Sequence, residues 1–462
     1  MKLSILSSSR KAFFLFTLML GALTLVGLFQ SWNLMLAILN LCLISAIMAL
    51  GVNLQWGYAG LFNAGIMGFA ALGGLAAMLV SKAPISGAWQ AGGFGISLGV
   101  IVWTISGILA YLVWVRFEGR SRRRYWYVII IAGLGYMISR FVLDPAILRI
   151  ETFEPASSGY LGGAGLPVLL SWGVGGILAG FVAFIVGKIT LGLRSDYLAI
   201  ATLGISEIVI FMFKNEDWLT RGVKNVTGIP RPVPYEIDLQ STIWFQDVTD
   251  TFGVNVIQAS SLYVKLCYTS LFLAVLLILL WLCERALNSP WGRMMRAIRD
   301  NETAASAMGK NVTSRHLQIF VIGSAIVGVA GAMLVTLDGQ FNPSIYHPLR
   351  FTFLIWVMVI VGGSGNNFGA ILGGYLFGNV FSPIADTTIL TQLATRVPLQ
   401  DHVTTSYPYA ILIGILAIVL GDLPIGLGLY GPFAALGAII VAQTGYLVFF
   451  GRKPGNTNQL QS

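Results

Sequence analysis

The sequence predicts an all-α, polytopic membrane bundle of about twelve segments, since each crossing needs about 20 apolar residues. Three observations carry this. Of 462 residues, 56% are hydrophobic and only 10% are charged, with a mean hydropathy of +0.79. A soluble chain is about 25% charged, so the surfaces of several soluble domains could not be covered here. The third observation is glycine, 54 residues of 462, a composition that suits helices packed closely in lipid.

In chain order, clear spans are expected at 12–30, 34–54, 93–115, 125–143, 167–190, 262–283 and 317–337. Less regular ones fall at 58–80, 197–213, 351–362, 368–382, 408–422 and 427–449. The first run is too long for a signal peptide and no small-x-small cleavage site follows it, so it reads as a retained helix. The chain divides into N-terminal helices (1–54), a membrane core (55–283) with an outer loop (214–261), a polar loop (284–316), C-terminal helices (317–450) and a tail (451–462).

Basic residues give the orientation. Lys2, Arg10 and Lys11 precede the first span, Arg116 and Arg120 to Arg124 lie between the third and fourth clear spans, and six further cations lie in 284–316. Counting crossings from a cytoplasmic N-terminus puts all three clusters inside, as the positive-inside rule requires. The net charge of +9 is thereby assigned to basic loops rather than to nucleic-acid binding. The side of the C-terminus depends on whether 427–449 crosses.

Two irregular spans share a polar, glycine-rich start, at 57–79 and 362–374. Backbone that leaves the helix inside a membrane lines a cavity or is buried in protein, and paired interrupted segments point to a transporter's path. Close helix approach explains the same glycines. Asn53, Gln55, Asn63 and Asn366 are neutral polar residues beside these breaks and, with Thr202 and Glu207, are the candidate path residues. Each amide also fits simple interhelical bonding. A carboxylate within 197–213 is costly unless it meets water or a partner, which singles out Glu207. Asp196 reads as the cap of the helix that begins at Tyr197.

The stretch 284–316 is too polar to cross. Ser289-Pro290 starts one helix, and Asn301 caps a second that stops at Gly309. Ala304 and Ala305 would let a partner's surface approach closely. An ordinary solvated loop is the plainer alternative. Three Cys and three His are scattered, without metal or disulfide spacing. Gly187-Lys188 and Gly309-Lys310 have Val182 and Ala304 where a phosphate-binding loop needs its first glycine, so the chain carries no ATP site of that type.

The 284–316 stretch resembles the EAA loop of bacterial ABC-importer permeases. Ala304, Ala305 and Gly309 carry the pattern, whereas Glu302 is displaced by one and Thr303 takes its slot. Three blocks resemble the branched-chain amino-acid permeases in particular, a family that includes urea and amide permeases. They are Gly51-Val-Asn-Leu-Gln-Trp-Gly-Tyr-Ala-Gly-Leu-Phe-Asn-Ala-Gly65, Leu193-Arg-Ser-Asp-Tyr-Leu-Ala-Ile-Ala-Thr-Leu-Gly-Ile-Ser-Glu207, and Gly292 through Gly331 continuing at Val361-Gly-Gly-Ser-Gly365. The insert at 116–165 and the region beyond about 422 fall outside the likeness.

The resemblance implies a permease subunit in the bacterial inner membrane that moves branched-chain or related amino acids by alternating access. It implies two ABC ATPase subunits that use ATP and Mg, a second related permease and a periplasmic substrate-binding protein. Arg299, Glu302, Ala304, Ala305 and Gly309 become ATPase-coupling residues, and the chain itself needs no cofactor. The alternatives are urea or amide transport by the same machinery, an ion-coupled secondary transporter using Glu207, and a membrane enzyme. Few acidic residues or histidines in the spans speak against the last.

Overall fold

The computed structural model describes residues 31–116, 122–154 and 159–377, with parts of the helix between 17 and 29. The expected spans at 408–422 and 427–449 and the tail lie outside the described residues, as do parts of the first span. Residues 1–382 form one unit and 383–462 another, and only the first is described below.

Among the described residues, seven helical stretches are long and apolar enough to cross a membrane: Trp32–Tyr58, Ser86–Arg116, Arg124–Glu151, Val168–Thr190, Asp196–Asn215, Val256–Leu287 and Val312–Asp338. Ile66–Ser81 and Pro348–Gly362 are shorter apolar helices. The chain is thus an all-α polytopic membrane protein. Its β pairing among the described residues is one short pair joining Val226–Thr227 to Gln340–Phe341 and an isolated bridge between Pro84 and Gly162, all outside the spans.

The first described helix, α1 (Trp32–Val52), is capped by the Ser31 hydroxyl, which accepts from the Leu34 amide at 3.1 Å. It widens into a π turn over Asn53–Tyr58, and the chain then runs non-helically to α2 (Ile66–Ser81). The expected span 58–80 is therefore an irregular entry followed by a helix too short to cross unaided. Because α2 is buried almost throughout, its neighbours meet the backbone needs that lipid could not.

The third and fourth helices, α3 (Phe94–Arg116) and α4 (Arg122–Glu151), pack chiefly on each other. Ser106 Oγ donates to the Ile131 carbonyl and Ser139 Oγ to the Gly99 carbonyl, both at 3.0 Å. α4 continues past the expected end at 143, and Pro145 lies within it. The hairpin places most of the 116–165 insert, leaving long apolar faces such as Trp103, Ile129 and Phe141 uncovered, as lipid contact requires.

The bundle centre is made by α2, α5 (Val168–Thr190) and the later helix Val312–Asp338. Here the glycines serve close approach. A Cβ on Gly73 would collide with the Gly328 carbonyl, and one on Gly331 with the Ala70 carbonyl. Gly175 lies against Gly73 on the third side of this crossing.

Next comes α6 (Ser195–Asn215), which starts one residue before Asp196. Asp196 therefore lies in the first turn, where its charge complements the helix dipole, rather than at the cap. The outer loop is shorter than expected. It holds helices Asp217–Thr220, Glu236–Ser241 and Ile243–Phe252, and α7 (Val256–Leu287) begins before 262. The remaining elements are α8 (Pro290–Asp300), α9 (Glu302–Ala307), α10 (Val312–Asp338), α11 (Pro348–Gly362) and α12 (Asn367–Phe377).

Candidate functional site

The two glycine-rich breaks, more than 300 residues apart in sequence, meet. Asn53 Oδ1 accepts from the Gly365 amide at 2.9 Å, and Asn53 Nδ2 donates to Asn367 Oδ1 at 2.9 Å. Asn367 Nδ2 donates in turn to Glu284 Oε1 at 2.8 Å, at the end of α7. Gly365 takes φ +81°, a left-handed conformation that glycine adopts without penalty. This lets the loop between α11 and α12 lie against the π turn.

A second set of bonds holds the chain between α1 and α2. Gln55 Nε2 donates to the Phe320 carbonyl at 2.9 Å and to Ser324 Oγ at 3.0 Å, both on α10. Asn63 Nδ2 donates to Gln55 Oε1 at 2.9 Å. Asn63 Oδ1 accepts from the Gly65 amide, and Thr202 Oγ1 on α6 accepts from the Ala64 amide at 3.0 Å. Trp356 Nε1 caps the segment by donating to the Asn63 carbonyl at 3.0 Å, and its ring packs on Trp56 and Phe62. Asn53, Gln55, Asn63 and Thr202 are all buried with their polar groups paired. In a low-dielectric interior such a network is rigid, because each broken bond strands a polar group.

Asn366 and Asn367 divide their roles by helical position. Asn366 is exposed and its Oδ1 accepts from the Gly369 amide at 3.3 Å, whereas Asn367 is buried and joins the two breaks. Asn367→Ala is expected to lower unfolding stability by about 1–2 kcal/mol, in line with interhelical bonds in membranes, and Asn366→Ala by clearly less. Thermal unfolding of the purified variants in detergent measures the difference.

The helices α8 and α9 reach this junction. Ser289 Oγ caps α8 by accepting from the Trp291 amide at 3.2 Å, with Pro290 in the first turn. Gly292, Met295 and Ile298 are buried at helical spacing, which turns the charged face outward. From the end of α8, Arg299 Nη1 donates to the Gly57 carbonyl at 2.5 Å, inside the π turn, while Nη2 pairs with Asp300 Oδ1 at 3.1 Å. A Cβ on Gly365 would stand 3.1 Å from Arg299 Nη1, so one guanidinium touches both breaks.

Asn301 Oδ1 caps α9 by accepting from the Ala304 amide at 2.9 Å. The two alanines differ in burial: Ala304 is exposed and Ala305 is buried. Glu302, Thr303, Ser306, Ala307, Met308 and Gly309 form an exposed surface with Ala304. Gly309 ends the turn at φ +75°, and an added Cβ there meets nothing within 4 Å.

Glu207 lies on α6 away from this network. It shares an exposed face with Tyr197, Ile200, Gly204, Ile208 and Phe211, at helical spacing. No salt bridge joins it to Lys188 or Arg194 among the described residues. Glu284, Ser324 and Trp356 were not among the expected site residues. Glu284 sits at a span end, where sequence gives no sign of an amide partner, and the other two resemble ordinary core residues.

The site is thus two broken helices joined through buried amides beside a pair of short helices. Residues 136–420, more than half of the chain, match the family described as "Branched-chain amino acid transport system / permease component". The chain belongs to this family of branched-chain amino acid ABC permeases. It is 30% identical over 206 residues to the high-affinity branched-chain amino acid transport system permease protein LivM of Escherichia coli (strain K12), covering 44% of this chain and 48% of that protein. It is 31% identical over 201 residues to a probable branched-chain amino acid transport permease protein LivM of Methanocaldococcus jannaschii, covering 43% and 51%. A 90-residue stretch is 33% identical to the permease protein LivH of Escherichia coli (strain K12), covering 20% and 29%. The aligned region thus spans about half the length of the LivM proteins. No solved structure matches the chain.

Proposed function

We propose that this chain is the membrane-spanning permease subunit of an ATP-driven importer for branched-chain or related amino acids. It sits in a bacterial inner membrane with its N-terminus and the α8–α9 end in the cytoplasm. Two separate ATPase subunits bind and hydrolyse ATP with Mg and dock on the exposed surface of α9. A second, related permease completes the bundle, and a periplasmic binding protein delivers substrate. The observation that carries this reading is the Arg299 guanidinium donating to the Gly57 carbonyl. It supports a direct mechanical link from the docking helices to the break in α1.

ATP-driven closure of the partners would push α8 and α9, and Arg299 would carry that push to the junction of the two breaks. Alternating access then needs the bonds of Asn53, Gln55 and Asn63 to exchange partners, which exposes amides to a passing zwitterion. Amides hold a zwitterion without trapping it. The open face of α6 supports a path shared with the second permease. A carboxylate at Glu207 is costly against lipid, so that face requires water or protein. Thr202 on the same helix and Asn366 beside the second break would flank the path.

Co-purification of the tagged chain with candidate ABC ATPase subunits tests the docking surface. Gly309→Trp is expected to abolish co-purification while the variant keeps the elution profile of the parent. Its side chain enters open space, and the left-handed backbone adds only about 1–2 kcal/mol of strain. Undiminished ATPase binding by a folded Gly309→Trp variant would contradict the proposal.

A further inference from the structure

A groove of about 790 Å³ opens on the side of the bundle between α5, α7 and α10. Its floor includes Leu54 and Cys283, and its walls include Gly173, Gly180, Phe184 and Val329. Apart from backbone, these surfaces are apolar. From Gly173 to Phe184 the α5 wall is about 16 Å long at 1.5 Å per residue. One leaflet of a hydrocarbon core about 30 Å thick has the same depth.

One end of the groove is basic. Lys188 Nζ lies 4.6 Å from the ring of the lining residue Phe184, whereas Arg285 turns away from the groove, its guanidinium 5.6 Å from the ring of Trp281, which is not in the lining. Trp291, also in the lining, donates from Nε1 to Gln318 Oε1 at 3.1 Å, and Arg315 Nη1 donates to that same oxygen at 3.0 Å. Lys188 is exposed and Arg315 is half-buried. Among the described residues neither forms a salt bridge with a carboxylate. The apolar groove is therefore flanked at one end by two cations without anions.

We propose that this groove is a binding site for an anionic phospholipid. One acyl chain lies between α5 and α10, and the phosphate sits between Lys188 and Arg315. Basic pockets between membrane helices hold anionic headgroups in this manner. Each cation near the surface contributes about 1 kcal/mol to an anionic lipid over a zwitterionic one, or about fivefold per cation at 1.4 kcal/mol per decade. The floor residues Leu54 and Cys283 adjoin Asn53, Gln55 and Glu284 in sequence, so the bound chain would brace the back of the polar junction.

Native mass spectrometry of the delipidated full chain, titrated with phosphatidylglycerol or phosphatidylcholine, tests this. One phosphatidylglycerol is expected to be retained at least tenfold more tightly than phosphatidylcholine. Gly173→Phe fills the groove without a clash, since an added Cβ there meets nothing within 4 Å. This variant should lose the retained lipid while unfolding at the parent's temperature. Lys188→Glu with Arg315→Glu should keep lipid binding but erase the preference for the anionic headgroup. Equal retention of the two lipids by the parent, or retention unaffected by Gly173→Phe, would overturn the proposal. So would a Gly173→Phe variant that loses association with another permease chain but not lipid, which would mark the groove as a protein contact.

Discussion

Arg299→Ala is expected to abolish substrate uptake by the assembled transporter while partner binding and ATP hydrolysis continue. The guanidinium is the described link from α8 to the π turn, through Nη1 and the Gly57 carbonyl. A hydrogen bond from a charged group contributes about 1.5–3 kcal/mol, and the 37% exposure of this side chain places Arg299 toward the lower end. The expected effect on transport is larger than that figure, because under the proposed mechanism loss of the link would leave the motion of α8 without a lever. Arg299→Lys is expected to restore little. An ammonium cannot hold the Gly57 carbonyl and Asp300 in the fixed fork of a guanidinium. Parallel measurements of ATPase rate and substrate uptake in proteoliposomes separate this uncoupling from lost assembly. Coupled transport by the alanine variant would remove Arg299 from the mechanism.

Gly331→Leu is expected to prevent the bundle from forming. At this position the backbones of α2 and α10 touch, and even a methyl group would overlap the Ala70 carbonyl. The neighbouring contact of Gly73 with the Gly328 carbonyl leaves no slack. Overpacking a well-packed interior costs about 1–3 kcal/mol when side chains can shift. Here a backbone would have to move, so the helices must separate and the buried surface of α2 is lost with them. Size-exclusion profiles in detergent should show aggregated Gly331→Leu protein and a destabilised but monodisperse Gly331→Ala. A single sharp peak for the leucine variant would show that the crossing is looser than its backbone contacts imply.

Much of this architecture is legible in the sequence, because lipid imposes long apolar runs that few other constraints mimic. The spans at 34–54, 93–115, 167–190 and 317–337 reappear within a few residues, and Ser289, Pro290 and Asn301 start the short helices as capping chemistry requires. Glycine at the two breaks is informative for the same reason, since backbone freed in a membrane needs protein around it. Partner choice is what sequence leaves open. Nothing local to Asn53 points to Asn367, and Asn366 and Asn367 are told apart only by which of them faces inward. Ala304 and Ala305 are separated by one helical step of about 100°, enough to expose one and bury the other. Glycine 73 and glycine 365 are equally ambiguous as letters: one is set by a neighbouring backbone and the other by a left-handed turn.

Glu207 illustrates the opposite case. Its cost in lipid is evident from sequence, but the open face around it is a property of the folded helix. The fold makes that face consistent with a second chain or a wet path. An ion-coupled carrier would use the same carboxylate, so the energy source decides between the two mechanisms.

That decision comes from uptake of radiolabelled leucine into proteoliposomes that hold this chain with its partner permease and ATPases, supplied with binding protein at the substrate-loading face. The account predicts uptake that requires ATP and persists when ionophores collapse the proton and sodium gradients. Uptake that needs a gradient and proceeds without ATP would contradict it.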